Sequence, residues 1–258
     1  MQPSGNTILI TGGGSGIGRA LAEAFHKGGN QVVIAGRQQA ALDAVTDANP
    51  GMRSAVLDIE DGAAIPAFAA ALVAAHPALN VVIHNAGIMR AENVLDGGVD
   101  TARHTIATNL LGPILLNDAL LRHLLAQPAA TVMTVSSGLA FLPLATTPTY
   151  SATKAAIHAY TESLRYQLRG TNVEVLELAP PYVQTTLMGE RQANDPHAMP
   201  LDAFIDEVMD IVRRGTYRDD GGEILVERVR PLRNAPANPA YRSQFQAFND
   251  AMAGRDDA

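Results

Sequence analysis

The octapeptide TGGGSGIG, residues 11–18, follows the apolar run Thr7 to Ile10 and opens a stretch, Gly16 to Lys27, with helical spacing. Glycine permits a tight turn and the close approach of a pyrophosphate, and a helix N-terminus presents unpaired N–H groups to that anion. In this strand–loop–helix setting, Gly12, Ser15, Gly16, Ile17 and Gly18 are candidate contacts to a dinucleotide. The competing reading is an ordinary glycine turn between a strand and a helix.

Outward from the loop, short aliphatic and β-branched runs alternate with longer helical patterns, as in an α/β chain with a parallel sheet covered on both faces. The strands expected are Thr7–Ile10, Gln31–Ala35, Met52–Leu57, Asn80–His84, Thr131–Ser136 and Val173–Leu178. Helices are expected over Gly16–Lys27, Gln39–Asn49, Asp61–Ala74, Thr101–Ala126, Tyr150–Arg169 and Leu201–Arg214. Asp61 is a candidate cap for the third helix, Asp100 or Thr101 for the fourth, and Gly170 ends the fifth. The segment EILVERV offers a final strand, 230–240 an irregular surface connection, and Tyr241–Asn249 a short docked helix.

At 258 residues the chain fits a single domain, 1–258, with a substrate loop at 186–200 and an irregular C-terminal extension at 230–258. The balance of 19 basic and 26 acidic residues, a net charge of −7, disfavours bulk binding to nucleic acid or an anionic membrane. With no cysteine there are no disulfides, thiol nucleophiles or thiolate metal sites. No signal peptide or membrane-spanning run is evident, so a cytoplasmic location is expected. The seven histidines form no H-E-x-x-H pattern, and no catalytic metal is expected.

The end of the second strand bears on cofactor choice. A site selective for an unphosphorylated ribose places Asp or Glu there, whereas this chain has Gly36 followed by Arg37. Arg37 can meet a 2′-phosphate with charge-assisted hydrogen bonds, which predicts NADP over NAD. The alternative is a solvent-facing arginine with no ligand role. Asp58, after the third strand, is a candidate acceptor from the adenine amino group with Ile59 beside the ring, or else a surface cap. Asn85, Ala86 and Gly87 follow the fourth strand and leave room for the adenosine ribose, or form only a turn.

The chemistry is expected from Tyr150 and Lys154 in YSATK, with Ser137 thirteen residues upstream of the tyrosine. At i and i+4 on a helix, a phenol and an ammonium leave one face. Carbonyl reduction needs a proton donor beside the carbonyl oxygen, a task suited to the phenol. Lowering a tyrosine pKa from roughly 10 toward 7 requires about 4 kcal/mol of phenolate stabilisation, which a cation such as Lys154 helps supply. Ser137 would orient the carbonyl and stabilise charge on its oxygen. Serine hydrolysis is the poorer reading because SSGLA lacks the G-x-S-x-G elbow. Asn109, within the fourth helix, would hold a backbone carbonyl and a water beside Lys154, or be a satisfied structural residue.

TGGGSGIG, NAG at 85–87, Asn109 in NLLG, Ser137, YSATK and PPYVQT at 180–185 together resemble the classical short-chain dehydrogenase/reductase family. The resemblance implies a Rossmann-type doubly wound fold, commonly a homodimer or homotetramer, acting with NAD or NADP on a small carbonyl or alcohol substrate. It also implies that Tyr150 is the general acid/base, Ser137 the substrate orienter, Lys154 the tyrosine activator and ribose ligand, and Asn109 the fourth catalytic member. Pro180, Val183 and Thr185 are implied cofactor contacts. The family usually has Pro-Gly where this chain has Pro180 and Pro181. Pro181 lacks an N–H and restricts φ. That variant, with GNQVVIAGR, MPLDAFIDEVM and GGEILVERVR, is similar to a subgroup named for the D-alanyl teichoic-acid operon.

The leading expectation is an NADP-dependent carbonyl reductase or alcohol dehydrogenase. A related epimerase, dehydratase or imine reductase, or a non-catalytic NADP-binding regulator, is the alternative. Leu139, Phe141, Leu142, Leu144, Leu187 and Met188 suggest an apolar substrate pocket, although core packing competes for several of them.

Overall fold

The computed structural model describes residues 1–256; residues 257 and 258 of the C-terminal extension lie outside the described residues. Seven parallel strands form one sheet: β1 Thr7–Thr11, β2 Gln31–Gly36, β3 Arg53–Val56, β4 Leu79–His84, β5 Ala130–Val135, β6 Val173–Leu178 and β7 Glu223–Ile224. Their order is β3-β2-β1-β4-β5-β6-β7. The helices are α1 Gly16–Lys27, α2 Gln39–Ala48, α3 Ile65–Ala75, α4 Val99–Ile106, α5 Gly112–Leu125, α6 Pro148–Gln167, α7 Glu190–Asn194, α8 Leu201–Arg214, α9 Arg230–Arg233 and α10 Tyr241–Asp256.

β1 is buried along its whole length because helices cover both faces of the sheet. Its alternate residues enter opposite cores. Ile8 and Ile10 pack with Leu21 and Phe25 of α1, Leu42 of α2 and Phe204 of α8. Leu9 faces the other way, into a cluster with Ile65 of α3, Leu116 and Leu120 of α5 and Leu164 of α6. The strand order reverses between β1 and β4, so this is a Rossmann-like doubly wound sheet. Such folds bind ligands at the carboxyl ends of the strands where the order reverses.

The expected fourth helix is broken in register. Between α4 and α5 the backbone is π-helical over Ala107–Leu111. Pro113 has no N–H to return to the Asn109 carbonyl four residues back, so regular α bonding cannot pass this point unaltered. The helix also begins at Val99 with no side-chain cap, so neither Asp100 nor Thr101 is its cap. Asp100 sits instead in the first turn, where its charge complements the helix dipole.

Asp61 acts just before α3: its carboxylate accepts from the N–H groups of Ala63 and Ala64 at 3.1 and 3.3 Å. Gly170, with φ +80°, makes the left-handed turn three residues beyond the end of α6. The final strand is shorter than expected, because only Glu223–Ile224 pair with β6 and Glu227–Val229 coil into a 3₁₀ turn. Residues 230–240 are also more ordered than an irregular connection, with α9 and a 3₁₀ turn at Ala235–Ala237. Their burial explains this: Val229 and Ala235 are in the interior, and Leu232 packs on Gly138.

Candidate active site

The glycine loop is held by contacts that exclude side chains. A Cβ on Gly18 would lie 2.3 Å from both the Gly12 carbonyl oxygen and Asn85 Nδ2. One on Gly12, whose φ is +69°, would lie 2.9 Å from Ala86 Cα. Asn85 Nδ2 donates to the carbonyls of Thr11 and Gly12 at 3.0 and 3.4 Å, while Thr11 Oγ1 accepts from the N–H groups of Asn85 and Ala86, each at 3.1 Å. The NAG turn therefore pins the loop against β1. Ser15 precedes α1 in extended backbone and makes no side-chain cap, which leaves the first N–H groups of the helix without a cap from it.

The N–H groups of Gly12 and Gly13 bond the Ala35 carbonyl at 2.7 and 3.2 Å, tying the loop to the end of β2. Arg37, two residues on, is exposed and has no ion pair among the described residues. Asp58 and Ile59 do not join the central cavity. Asp58 is exposed and its Oδ1 accepts from the Glu60 N–H at 3.1 Å, while Ile59 is buried under Gly112, where a Cβ would meet the Ile59 carbonyl oxygen at 2.4 Å.

The candidate catalytic residues converge beyond β4, β5 and β6. Ser137 follows β5 and its Oγ accepts from the Leu139 N–H at 3.1 Å. Tyr150 is in the first turn of α6, and Lys154 Nζ lies 5.5 Å from the centre of its ring. Lys154 Nζ donates to the Val135 carbonyl at 2.8 Å, and Gly87 passes so close that a Cβ there would be 3.6 Å from Nζ. Asn109 is locked by two bonds to Ile88: its Oδ1 accepts from the backbone N–H at 2.8 Å, and its Nδ2 donates to the carbonyl at 2.9 Å. Nδ2 also donates to Thr153 Oγ1 at 3.2 Å, and Thr153 Oγ1 donates to the Tyr150 carbonyl at 2.7 Å. The π segment is thus bound to both the strand end and the helix bearing Tyr150.

Burial dominates the electrostatics. It pushes the Tyr150 phenol up to about 12, against a hydrogen bond with Ser137 that acts the other way. It lowers Lys154 to about 8, against the charge of Glu177, which raises it.

One cavity of about 790 Å³ joins the loop to these residues; Gly12, Ser15–Gly18, Asn85–Gly87, Ser137, Tyr150, Lys154, Pro180, Val183 and Thr185 line it. Thr186, Leu187 and Met188 extend the wall, as do Leu139 and Leu144. Phe141 and Leu142 do not, because both are buried in packing behind it. Sequence reasoning missed Gln192, a buried residue whose Nε2 donates to the Val183 carbonyl at 2.9 Å and to Thr185 Oγ1 at 3.1 Å, fixing both. It also missed Leu232, Phe248 and Met252, which bring the C-terminal segment into the cavity wall. Their spacing carries no motif, and only the fold's closure over the site identifies them.

The short chain dehydrogenase family profile matches residues 6–196. The chain belongs to the short-chain dehydrogenase family. It is an oxidoreductase in the coarse sense that this membership implies. The uncharacterized oxidoreductase DltE of Bacillus subtilis (strain 168) is 36% identical, over 96% of this chain and 98% of its own length. Among solved structures, a short chain dehydrogenase from Burkholderia cenocepacia J2315 in complex with NADP superposes with TM-score 0.78 at 23% identity, covering 96% of this chain and 99% of that one. A short chain dehydrogenase/reductase from Burkholderia phymatum in complex with NAD gives TM-score 0.73 at 23% identity, covering 99% of this chain and 96% of that one. At that identity these two establish the fold of this short-chain dehydrogenase. Among the described residues no helix is long and apolar enough to cross a membrane.

Proposed function

We propose that this short-chain dehydrogenase interconverts a ketone or aldehyde and an alcohol with NADP. The observation that carries the reading is the presence of Ser137, Tyr150 and Lys154 in one cavity with the glycine loop. The loop suits a dinucleotide, since Gly12 and Gly18 leave room only for backbone and the N-terminus of α1 faces the same cavity. Gly12, Ser15, Gly16, Ile17 and Gly18 would hold the pyrophosphate, Asn85, Ala86 and Gly87 the ribose side, and Pro180, Val183 and Thr185 the nicotinamide end. Arg37 would take the 2′-phosphate, the feature that favours NADP over NAD. The cofactor, when bound, supplies the hydride for reduction and accepts it in oxidation.

The chain's own residues manage the proton and the orientation. Ser137 donates a hydrogen bond to the substrate oxygen and Tyr150 delivers a proton to it, while Lys154 supplies positive charge beside the phenol. Burial that holds Tyr150 near 12 keeps it protonated at neutral pH, the form needed as an acid. Alcohol oxidation instead needs the phenolate, so its rate should rise about tenfold per pH unit below the tyrosine pKa. Asn109 secures the Ile88 backbone and, through Thr153, the helix that carries Tyr150.

Steady-state turnover across aldehydes, ketones and secondary alcohols, with NADPH and NADH in parallel, tests the reading. Tyr150→Phe should reduce turnover at least about 100-fold with cofactor binding kept, and Arg37→Ala should erase most of the NADPH preference. Equal turnover in the Tyr150→Phe protein would overturn the assignment. Preference for NADH in the wild type would overturn the cofactor.

A further inference from the structure

Beneath α6, the sheet carries a polar row within an otherwise apolar face. His84, Thr134, Glu177 and Glu223 are register partners across β4, β5, β6 and β7. Glu177 is fully buried and Glu223 nearly so, which puts two carboxylates side by side in the interior. Like charges in that arrangement repel, and a buried carboxylate stays ionised only with cations to face it. Glu223 has its own partner: Arg233 of α9 donates to it from Nε and Nη2 at 2.5 and 2.7 Å.

Among the described residues the Glu177 carboxylate is hydrogen-bonded to His158, whose Nδ1 lies 2.8 and 3.1 Å from the two carboxylate oxygens. His158 is one turn beyond Lys154 on α6, so both leave the same face. The lysine's own acceptor, the Val135 carbonyl, belongs to the residue after Thr134, which pairs with Glu177. Phe141 closes the row edge-on against His158 at 4.8 Å between ring centres, and the Arg233 guanidinium lies 4.6 Å from the Phe141 ring centre.

We propose that Glu177 is a positioning residue of the reaction site, supplying the buried negative charge that faces Lys154, aimed by His158 and shielded from Glu223 by Arg233. The groups around it support that balance. From α6 come Lys154, His158 and the outward Glu162; from β7, Glu223; from α9, Arg233. Arg165 is turned to the carbonyls of Val175 and Gly222. His84, two strands away in the row, is held neutral by burial down to about 4. The hydrogen bond from His158 to Glu177 raises the imidazole pKa above its ordinary value, against burial, which lowers it; at pH above that titration His158 is neutral, and Glu177 and Glu223 then balance Lys154 and Arg233. The C-terminal segment, through Arg233, thereby sets the charge next to the reacting lysine. Of these groups Lys154 lines the central cavity, and Glu177, His158, Glu223 and Arg233 do not.

This inference rests on the reading of Lys154 as the cation of the site, but its test needs neither substrate nor cofactor, so its failure is separate from a failure of turnover. Lys27, which is exposed, and Lys154 are the chain's lysines, so protein labelled with ¹³C at lysine Cε gives two side-chain signals. Lys27 serves as the internal reference for a pH titration. Glu177→Gln should lower the Lys154 midpoint from about 8 by about one pH unit. Glu223→Gln, which leaves Arg233 unpaired against Glu177, should lower it by less, and Glu177→Asp should restore it. If Glu177→Gln fails to fold, the Glu223→Gln and Glu177→Asp pair decides. An unmoved midpoint, or one that rises toward the ordinary lysine value as an opened site would give, overturns the proposal.

Discussion

Replacing Lys154 by methionine is expected to make the chain more stable while removing its activity. The lysine is buried, and burial lowers its pKa from 10.5 to about 8. That gap, at about 1.4 kcal/mol per pH unit, corresponds to about 3 kcal/mol of unfavourable free energy for holding the ammonium in the interior. Methionine preserves the unbranched chain and removes the charge, but it also removes the bond to the Val135 carbonyl, worth about 1–2 kcal/mol. The net gain at pH 7 is therefore about 1–2 kcal/mol.

The sign with pH follows from proton counting. Between about 8 and 10.5 the unfolded chain holds a proton on this lysine that the folded chain has released, so wild-type stability rises with pH across that window. Below about 8 the penalty is fully present, and above 10.5 it is gone. Denaturant unfolding of both proteins from pH 6 to 10.5 should show the variant's advantage shrinking as pH rises. A variant less stable than wild type at pH 7, or a difference that does not change with pH, would refute the reasoning.

Two further outcomes follow from particular contacts. Gly18→Ala places a Cβ 2.3 Å from the Gly12 carbonyl oxygen and Asn85 Nδ2; a stability loss of about 1–3 kcal/mol is expected, with weaker NADPH binding in a fluorescence titration, and unchanged binding would count against the loop as the dinucleotide cradle. Asn249 of α10 accepts from the Ala145 N–H at 2.6 Å and donates to the Pro143 carbonyl at 3.2 Å. Asn249→Ala should loosen the wall formed by Phe248 and Met252 and raise KM with little change in kcat, whereas a kcat loss at constant KM would contradict that role.

The glycine loop and the YSATK pair were legible without coordinates because their chemistry depends on local spacing: a strand-to-helix turn in one case, one helical turn in the other. The alternating strands also declared the parallel sheet, since residues buried on both faces must be apolar along whole strands. Asp100 and Thr101 misled as caps because a polar residue near a helix start is only a candidate until the backbone fixes where the first turn lies. The π segment at Asn109 was hidden in a helical pattern that reads the same in either hydrogen-bond register.

Tertiary structure alone decided which apolar residues serve the pocket and which the core. Phe141 and Leu144 are equally apolar in sequence, yet one packs behind the site and the other lines it. It alone brought Leu232, Phe248 and Met252 into the wall of the cavity that holds Tyr150 and Lys154 and placed Glu177 in the buried row beneath α6, because contacts between distant segments depend on how elements cross rather than on spacing along the chain. By itself the sequence determined the glycine loop and the phenol–ammonium pair; folding determined which buried charges lie on the strands beneath that pair and which residues wall the cavity around it.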